Sequence, residues 1–199
     1  MQVNSKIKRI LLHPGQFHVS TRPEVISTLL GSCIAACLYD KESGVAGMNH
    51  FLLAQRRLPH QEPLLNSEAG RYGMYAMELL INALLRRGAR RTRLKAKIFG
   101  GANVLADSLG KQASVFNIGQ VNIDFIHQYL QNEQIPLVTE DVGGQQGRVI
   151  HFVTRDQSIY LRRMGARDKW RVERQEQAYW QQKLAEQALA EKQSQVDFW

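Results

Sequence analysis

The chain is poor in cysteine and in long apolar runs. Only two of its 199 residues are cysteines, Cys33 and Cys37. In an extended strand they lie about 13 Å apart at roughly 3.3 Å per residue, beyond disulfide reach. A disulfide framework is therefore excluded, and each thiol is either a small core hydrophobe or a reactive group. No stretch approaches the roughly eighteen consecutive apolar residues of a membrane-spanning helix. The opening MQVNSKIKRILLHPGQ holds too short an apolar core for a signal peptide. These two absences lead to the expectation of a cytoplasmic protein without membrane insertion. The six histidines are dispersed without an HExxH spacing, so neither a metal site nor a cofactor is expected.

What is present is a globular composition, 44% hydrophobic and 22% charged. The length suits one core with an appendage. The net charge is +8, and its densest part is residues 86 to 97, which carry Arg86, Arg87, Arg90, Arg91, Arg93, Lys95 and Lys97 with no acidic residue among them. No aromatic stacking pattern or helix-turn-helix accompanies this charge, so nucleic acid is not the expected partner. An acidic protein surface fits it better.

Residues 17 to 39 alternate and then saturate in apolar side chains, and IAACLYD (34 to 40) reads as a buried strand. Asp40 to Gly44 supply turn chemistry before a second strand, VAGMNHFLL (45 to 53), which makes a β-hairpin. Residues 55 to 66, polar with Pro59 and Pro63, read as a surface loop. Met74, Met77, Leu80, Ile81 and Leu84 recur at helical spacing, with Gly88 as the stop. Leu94 to Phe99 alternates as a strand ending at Gly100 and Gly101. A second helix is expected from about Ile118 to before Pro136, with Ile126 and Leu130 on its buried face. Strands follow at 135 to 141, 148 to 153 and 158 to 164. The strand-rich order with two principal helices points to an α+β fold. From residue 166 the composition turns to Gln, Glu, Lys, Arg and Ala; Trp170, Tyr179, Trp180 and Leu184 fit an amphipathic helix as well as the chain end fits a frayed tail.

The hairpin carries the chemistry. A turn centred between Lys41 and Glu42 sets Cys33 directly opposite His50, where Cβ atoms are about 4.5 to 5.5 Å apart and a thiol and an imidazole can share a proton. The thiolate is the nucleophile, and a neighbouring imidazole favours its formation. Gly31 and Ser32 suit a tight approach in which backbone N–H groups face a developing oxyanion. Against this stands the plainer reading of a packed core cysteine, which fits Cys37. Gly100 and Gly101, beside Asn103, read as a structural turn, and Gly143 and Gly144 as a strand connection.

The runs STLLGSCIAACLYD (27 to 40) and GVAGMNHFLL (44 to 53) resemble the CheD family of chemoreceptor glutamine deamidases. So do GRYGMYAMELLINALLRRGA (70 to 89), KIFGGANVL (97 to 105), NIGQVNIDFI (117 to 126) and EDVGGQQGRVIHF (140 to 152). The resemblance implies a β-sandwich of mixed sheets with two main helices packed on one side, similar to the cytotoxic necrotizing factor deamidases. It assigns residues 1 to 165 to the deamidase domain and leaves 166 to 199 as an extension, helical or disordered. It makes Cys33 the nucleophile and His50 the general base. For the third member Ser27 keeps the family's spacing and Thr28 its residue type; Thr28 is preferred. The implied partners are methyl-accepting chemotaxis receptors and a CheC-type phosphatase. A glutamyl methylesterase and a non-catalytic adaptor are the rival readings.

Overall fold

The computed structural model describes residues 7–53, 65, 67–104, 118–165, 170, 174–179, 181–182 and 185–186. Its elements run β1 (Lys8–Leu11), β2 (Phe17–Ser20), β3 (Glu24–Leu30), β4 (Ile34–Asp40), β5 (Val45–Asn49), α1 (Glu68–Arg86), β6 (Lys95–Gly100), α2 (Ile118–Asn132), β7 (Leu137–Val142), β8 (Arg148–Val153) and β9 (Ile159–Arg163). Two sheets form a sandwich: β1-β3-β8-β9, and β2-β5-β4-β6-β7. Each is mixed, since β1 joins β3 and β7 joins β6 in parallel while the other pairs are antiparallel. The α+β sandwich with both helices on one side is the architecture found.

Every residue of β4 is buried because both of its faces are covered. Ile34, Ala36 and Leu38 face a core shared with Met77, Leu80, Ile81 and Leu84 of α1 and Phe125, Ile126 and Leu130 of α2. Cys33, Ala35, Cys37 and Tyr39 face the second core, between the sheets, with Ile26, Leu30, Ile150 and Phe152. A side chain of Leu or Ile size buried this way stabilises by about 1.5–3 kcal/mol. Ser67 caps α1, its side chain accepting from the Gly70 amide, and Gly88 ends the helical turn at φ 98°. No described helix is long and apolar enough to cross a membrane.

Three expectations need correction or completion. The stretch from 17 to 39 is three strands, divided between the two sheets, and a further strand, β1, precedes it. The hairpin register also differs. Asp40 pairs with Val45 and Ile34 bridges to Phe51, so Cys33 does not lie directly opposite His50. The Asp40 carboxylate accepts from the amides of Glu42 and Ser43 and Gly44 takes φ 70°, which enlarges the turn to residues 41–44. The offset of two residues keeps both side chains on one face and makes them diagonal neighbours. Apart from residue 65, the loop expected at 55 to 66 lies outside the described residues, as do Trp180 and Leu184. Trp170 is exposed, and residues 174–179 are helical.

Part of the basic run is engaged within the molecule. Arg91 pairs with Glu133, Arg93 with Asp40 and Glu42, and the Lys97 ammonium donates to the Gln157 carbonyl.

Candidate active site

The segment Gly31–Ser32–Cys33 carries the chain from β3 in one sheet to β4 in the other. All three of its carbonyls are tied down on the protein side. Gly31 O accepts from the Ala102 amide at 2.7 Å, Cys33 O from the Gly101 amide at 2.8 Å, and Ser32 O from the Asn122 side-chain amide at 2.9 Å. The opposite consequence follows for the amides. Those of Gly31, Ser32 and Cys33 converge on one carboxylate, that of Glu176, at 2.8, 2.9 and 3.1 Å, and the Ser32 hydroxyl donates to it at 2.6 Å. Three successive N–H groups aimed at one point form an anion cradle beside the thiol.

Glycine is required where this frame is tightest. Gly100 has φ 118°, and a Cβ there would run into the Cys33 carbonyl. The turn is held from below by Arg148, wholly buried, whose guanidinium donates to Gly100 O at 2.7 Å and also to the carbonyls of Asp141 and Gly143. Gly100 and Gly101 thus belong to the turn that anchors the cysteine segment, and Gly143 to the strand connection that Arg148 fastens. Asn122 of α2 links this frame to the chain after β5, since its Oδ1 accepts from the Leu53 amide at 2.8 Å.

His50 follows β5 and is held by main chain on both of its polar groups, its amide donating to Gln16 O and its carbonyl accepting from Gly15. The imidazole Nδ1 lies 2.7 Å from the Thr28 hydroxyl, which donates to Leu12 O at 2.9 Å. That hydroxyl has one proton, already given to a carbonyl that can only accept. The imidazole must therefore donate from Nδ1, which leaves the lone pair on Nε2. Among the described residues Nε2 has no hydrogen-bond partner, and no thiol–imidazole hydrogen bond is formed. Ser27 points the other way. It sits on the outer face of β3 and bonds His151 Nδ1 at 2.7 Å.

Burial governs the ionisation of both Cys33 and His50. It pushes the Cys33 thiol well above its ordinary range, and the adjacent Glu176 carboxylate pushes it in the same direction. Burial alone raises Cys37, against the weak pull of Lys97. Burial, reinforced by His13, lowers His50 to about 3. The resting pair is thus a neutral thiol and a neutral imidazole. Because the folded value of His50 lies below the free value of about 6.5, the unfolded chain takes up the proton first. The stability this contributes is fully present above pH 6.5 or so and is lost as pH falls toward about 3. We expect a loss on the order of a few kcal/mol across that window. It is read as the fall in urea midpoint of the wild type relative to His50→Gln, which lacks the titrating group.

Some of these residues had a signal in the sequence and others did not. Asn122 is a polar residue on the apolar face of α2, beside Ile126 and Phe125, which marks it as a buried polar contact. Glu176 is one acid among many in a glutamine-rich tail, and nothing local singles it out. Among the described residues no group of His, Cys, Asp and Glu is placed to hold a metal ion.

The family model described as CheD chemotactic sensory transduction matches residues 55–163. A Geobacter sulfurreducens protein named probable chemoreceptor glutamine deamidase CheD 1 is 47% identical over 193 residues, 96% of this chain and 93% of its own length. A Shewanella oneidensis protein named probable chemoreceptor glutamine deamidase CheD 2 is 52% identical over 153 residues, 76% of this chain and 74% of its own. Among solved structures, the Bacillus licheniformis hypothetical protein YfiH overlaps at a TM-score of 0.37 and 14% identity, covering 63% of this chain and 49% of that one, too remote to bear on the site. The Geobacter match is long enough to take in the cysteine segment, the histidine and most of the tail, and with more than half of the chain inside the family model the protein belongs to the CheD family.

Proposed function

We propose that this protein deamidates glutamine side chains of methyl-accepting chemotaxis receptors to glutamate, with Cys33 as nucleophile, His50 as general base and acid, and Thr28 as the residue that orients His50. The observation that supports it most is the set of three converging amides beside the Cys33 thiol, a ready receptor for the oxyanion of acyl transfer. The cysteine proton passes to His50 Nε2 as sulfur attacks the side-chain amide carbon. The carbonyl oxygen, now negative, is held by the amides of Gly31, Ser32 and Cys33. Collapse breaks the C–N bond, and the imidazolium gives its proton to the departing ammonia. Water activated by Nε2 then hydrolyses the thioester, releasing the glutamate side chain and the thiol. With both partners neutral at rest, proton transfer and attack occur together rather than from a standing thiolate.

Receptor incubated with the protein is expected to release ammonia and to show specific glutamines converted to glutamate by mass spectrometry. Methanol release from a methylated receptor, with no ammonia from an amidated one, would instead establish a glutamyl methylesterase. Receptor-dependent effects that survive thiol alkylation would establish an adaptor. The same reading places the protein in the cytoplasm, where a nucleophilic thiol stays reduced. It gives the exposed Arg86, Arg87 and Arg90 as the surface for an acidic partner such as a CheC-type phosphatase.

Thr28 and Ser27 are separable by activity. Thr28→Val is expected to lower the deamidation rate about a hundredfold or more, since the imidazole then loses the group that fixes its proton on Nδ1. Thr28→Ser should restore most of it and Ser27→Ala should stay within a few-fold of wild type. Equal losses in Thr28→Val and Ser27→Ala would remove Thr28 from this role.

A further inference from the structure

The helical segment 174–179 reaches the site through one side chain. Glu176 is 2% exposed, while Arg174, Gln177 and Ala178 around it are exposed. Its carboxylate accepts four hydrogen bonds, all from the Gly31–Ser32–Cys33 segment, and among the described residues it forms no ion pair. A buried carboxylate needs a cation or a full set of donors to offset desolvation. Here the reaction cradle itself supplies them. The flanks of the segment are also seated: Gln175 Nε2 bonds His13 Nδ1 at 2.7 Å, the Tyr179 hydroxyl bonds that of Tyr72, and the Tyr179 ring lies directly over Gly15.

A glutamate side chain is what remains after a glutamine has been deamidated. We propose that the C-terminal helical segment is a product mimic built into the chain: Glu176 lies in the cradle as the newly made glutamate would, and the tail and the receptor compete for one groove bordered by His13, Gly15 and Tyr72. This rests on the deamidase reading above and adds to it. The groove takes a glutamyl or glutaminyl side chain presented on a helix, and the enzyme with its tail docked is closed to substrate. The tail's carboxylate also holds the Cys33 thiol protonated, so undocking both opens the cradle and eases formation of the nucleophile.

The test uses the full chain carrying Glu176→Gln, which seats an amide where the carboxylate was. That amide is expected to be hydrolysed back to the carboxylate at a rate independent of protein concentration, and to persist in the Cys33→Ala, Glu176→Gln double variant. Peptide mass spectrometry reads both. In a second arm, full-length Glu176→Ala is expected to deamidate receptor about tenfold faster than wild type, because a closed fraction no longer reduces the competent population. Survival of the introduced amide in a Glu176→Gln preparation that converts receptor glutamines overturns the product mimic and leaves the deamidase intact. An unchanged receptor rate in Glu176→Ala likewise overturns the competition. If neither the introduced amide nor receptor glutamine is converted, the deamidase reading fails and the mimic falls with it.

Discussion

Cys33→Ala is expected to lower receptor deamidation by about 10⁴-fold or more, while Cys37→Ala leaves the rate within a few-fold of wild type. The two thiols are alike in burial: both are wholly buried in the core between the sheets, Cys37 within β4 and Cys33 immediately before it. They differ in what the backbone does around them. Cys33 ends a segment whose amides converge beside its sulfur, whereas Cys37 lies mid-strand, paired to Met48 on one side and Lys97 on the other. Cys37→Ala removes one sulfur from a packed site, a destabilisation of about 1 kcal/mol that thermal melting would register. Ammonia release from receptor, measured for both variants at equal folded concentration, is the check. Comparable rates for Cys33→Ala and wild type would end covalent catalysis by this chain.

Arg148→Met is expected to destabilise the fold by about 3–5 kcal/mol, whereas Arg163→Met should change it by less than about 1 kcal/mol. Both arginines meet Asp141, at 3.2 and 2.7 Å. The shorter contact is the weaker in consequence, because the Arg163 side chain is 47% exposed and solvent screens it. Arg148 is wholly buried, and burial lowers its pKa despite the nearby Asp141. Its removal leaves the carbonyls of Gly100, Asp141 and Gly143 facing a thioether with no donor. The damage should also reach catalysis, since Gly101 and Ala102 hold the carbonyls of Cys33 and Gly31. Urea unfolding of the two variants, together with the deamidation rate of the folded fraction, tests both parts. Equal midpoints for Arg148→Met and Arg163→Met would show that the turn holds itself.

The parts of this fold that could be read in the sequence are those whose pattern is decided locally. The run IAACLYD is apolar on both parities because β4 is covered on both faces, and the spacing of Met77, Leu80, Ile81 and Leu84 marks the inner face of α1. The short strand β1 has no such pattern: its four residues are mostly exposed, and its parallel partner β3 lies beyond the intervening β2. In β3, EVISTLL is apolar on both parities as well, with Ile26 and Leu30 on one side and Val25 and Leu29 on the other. Alternation therefore could not tell which of Ser27 and Thr28 faces inward; in the fold Thr28 meets His50 and Ser27 meets His151. The hairpin register turned on a side-chain bond, Asp40 to the amides of its own turn, which lengthens the loop without any change in strand composition. Only Gly31 and Ser32 of the cradle carry a local signal, since what aims its amides is three distant donors, from Gly101, Ala102 and Asn122. Glu176 acts across 143 residues of chain, a separation no local pattern spans.

The Thr28 hydroxyl is directed by the oxygen of Leu12, an atom every amino acid carries. Mutation at position 12 can alter packing but cannot erase that acceptor. The orientation of the imidazole proton is thereby insulated from the side chain at this position, and drift there need not disturb the tautomer of His50. Displacement of the peptide unit itself would be required, freeing Thr28 to turn its hydrogen toward His50 and reverse the ring's tautomer.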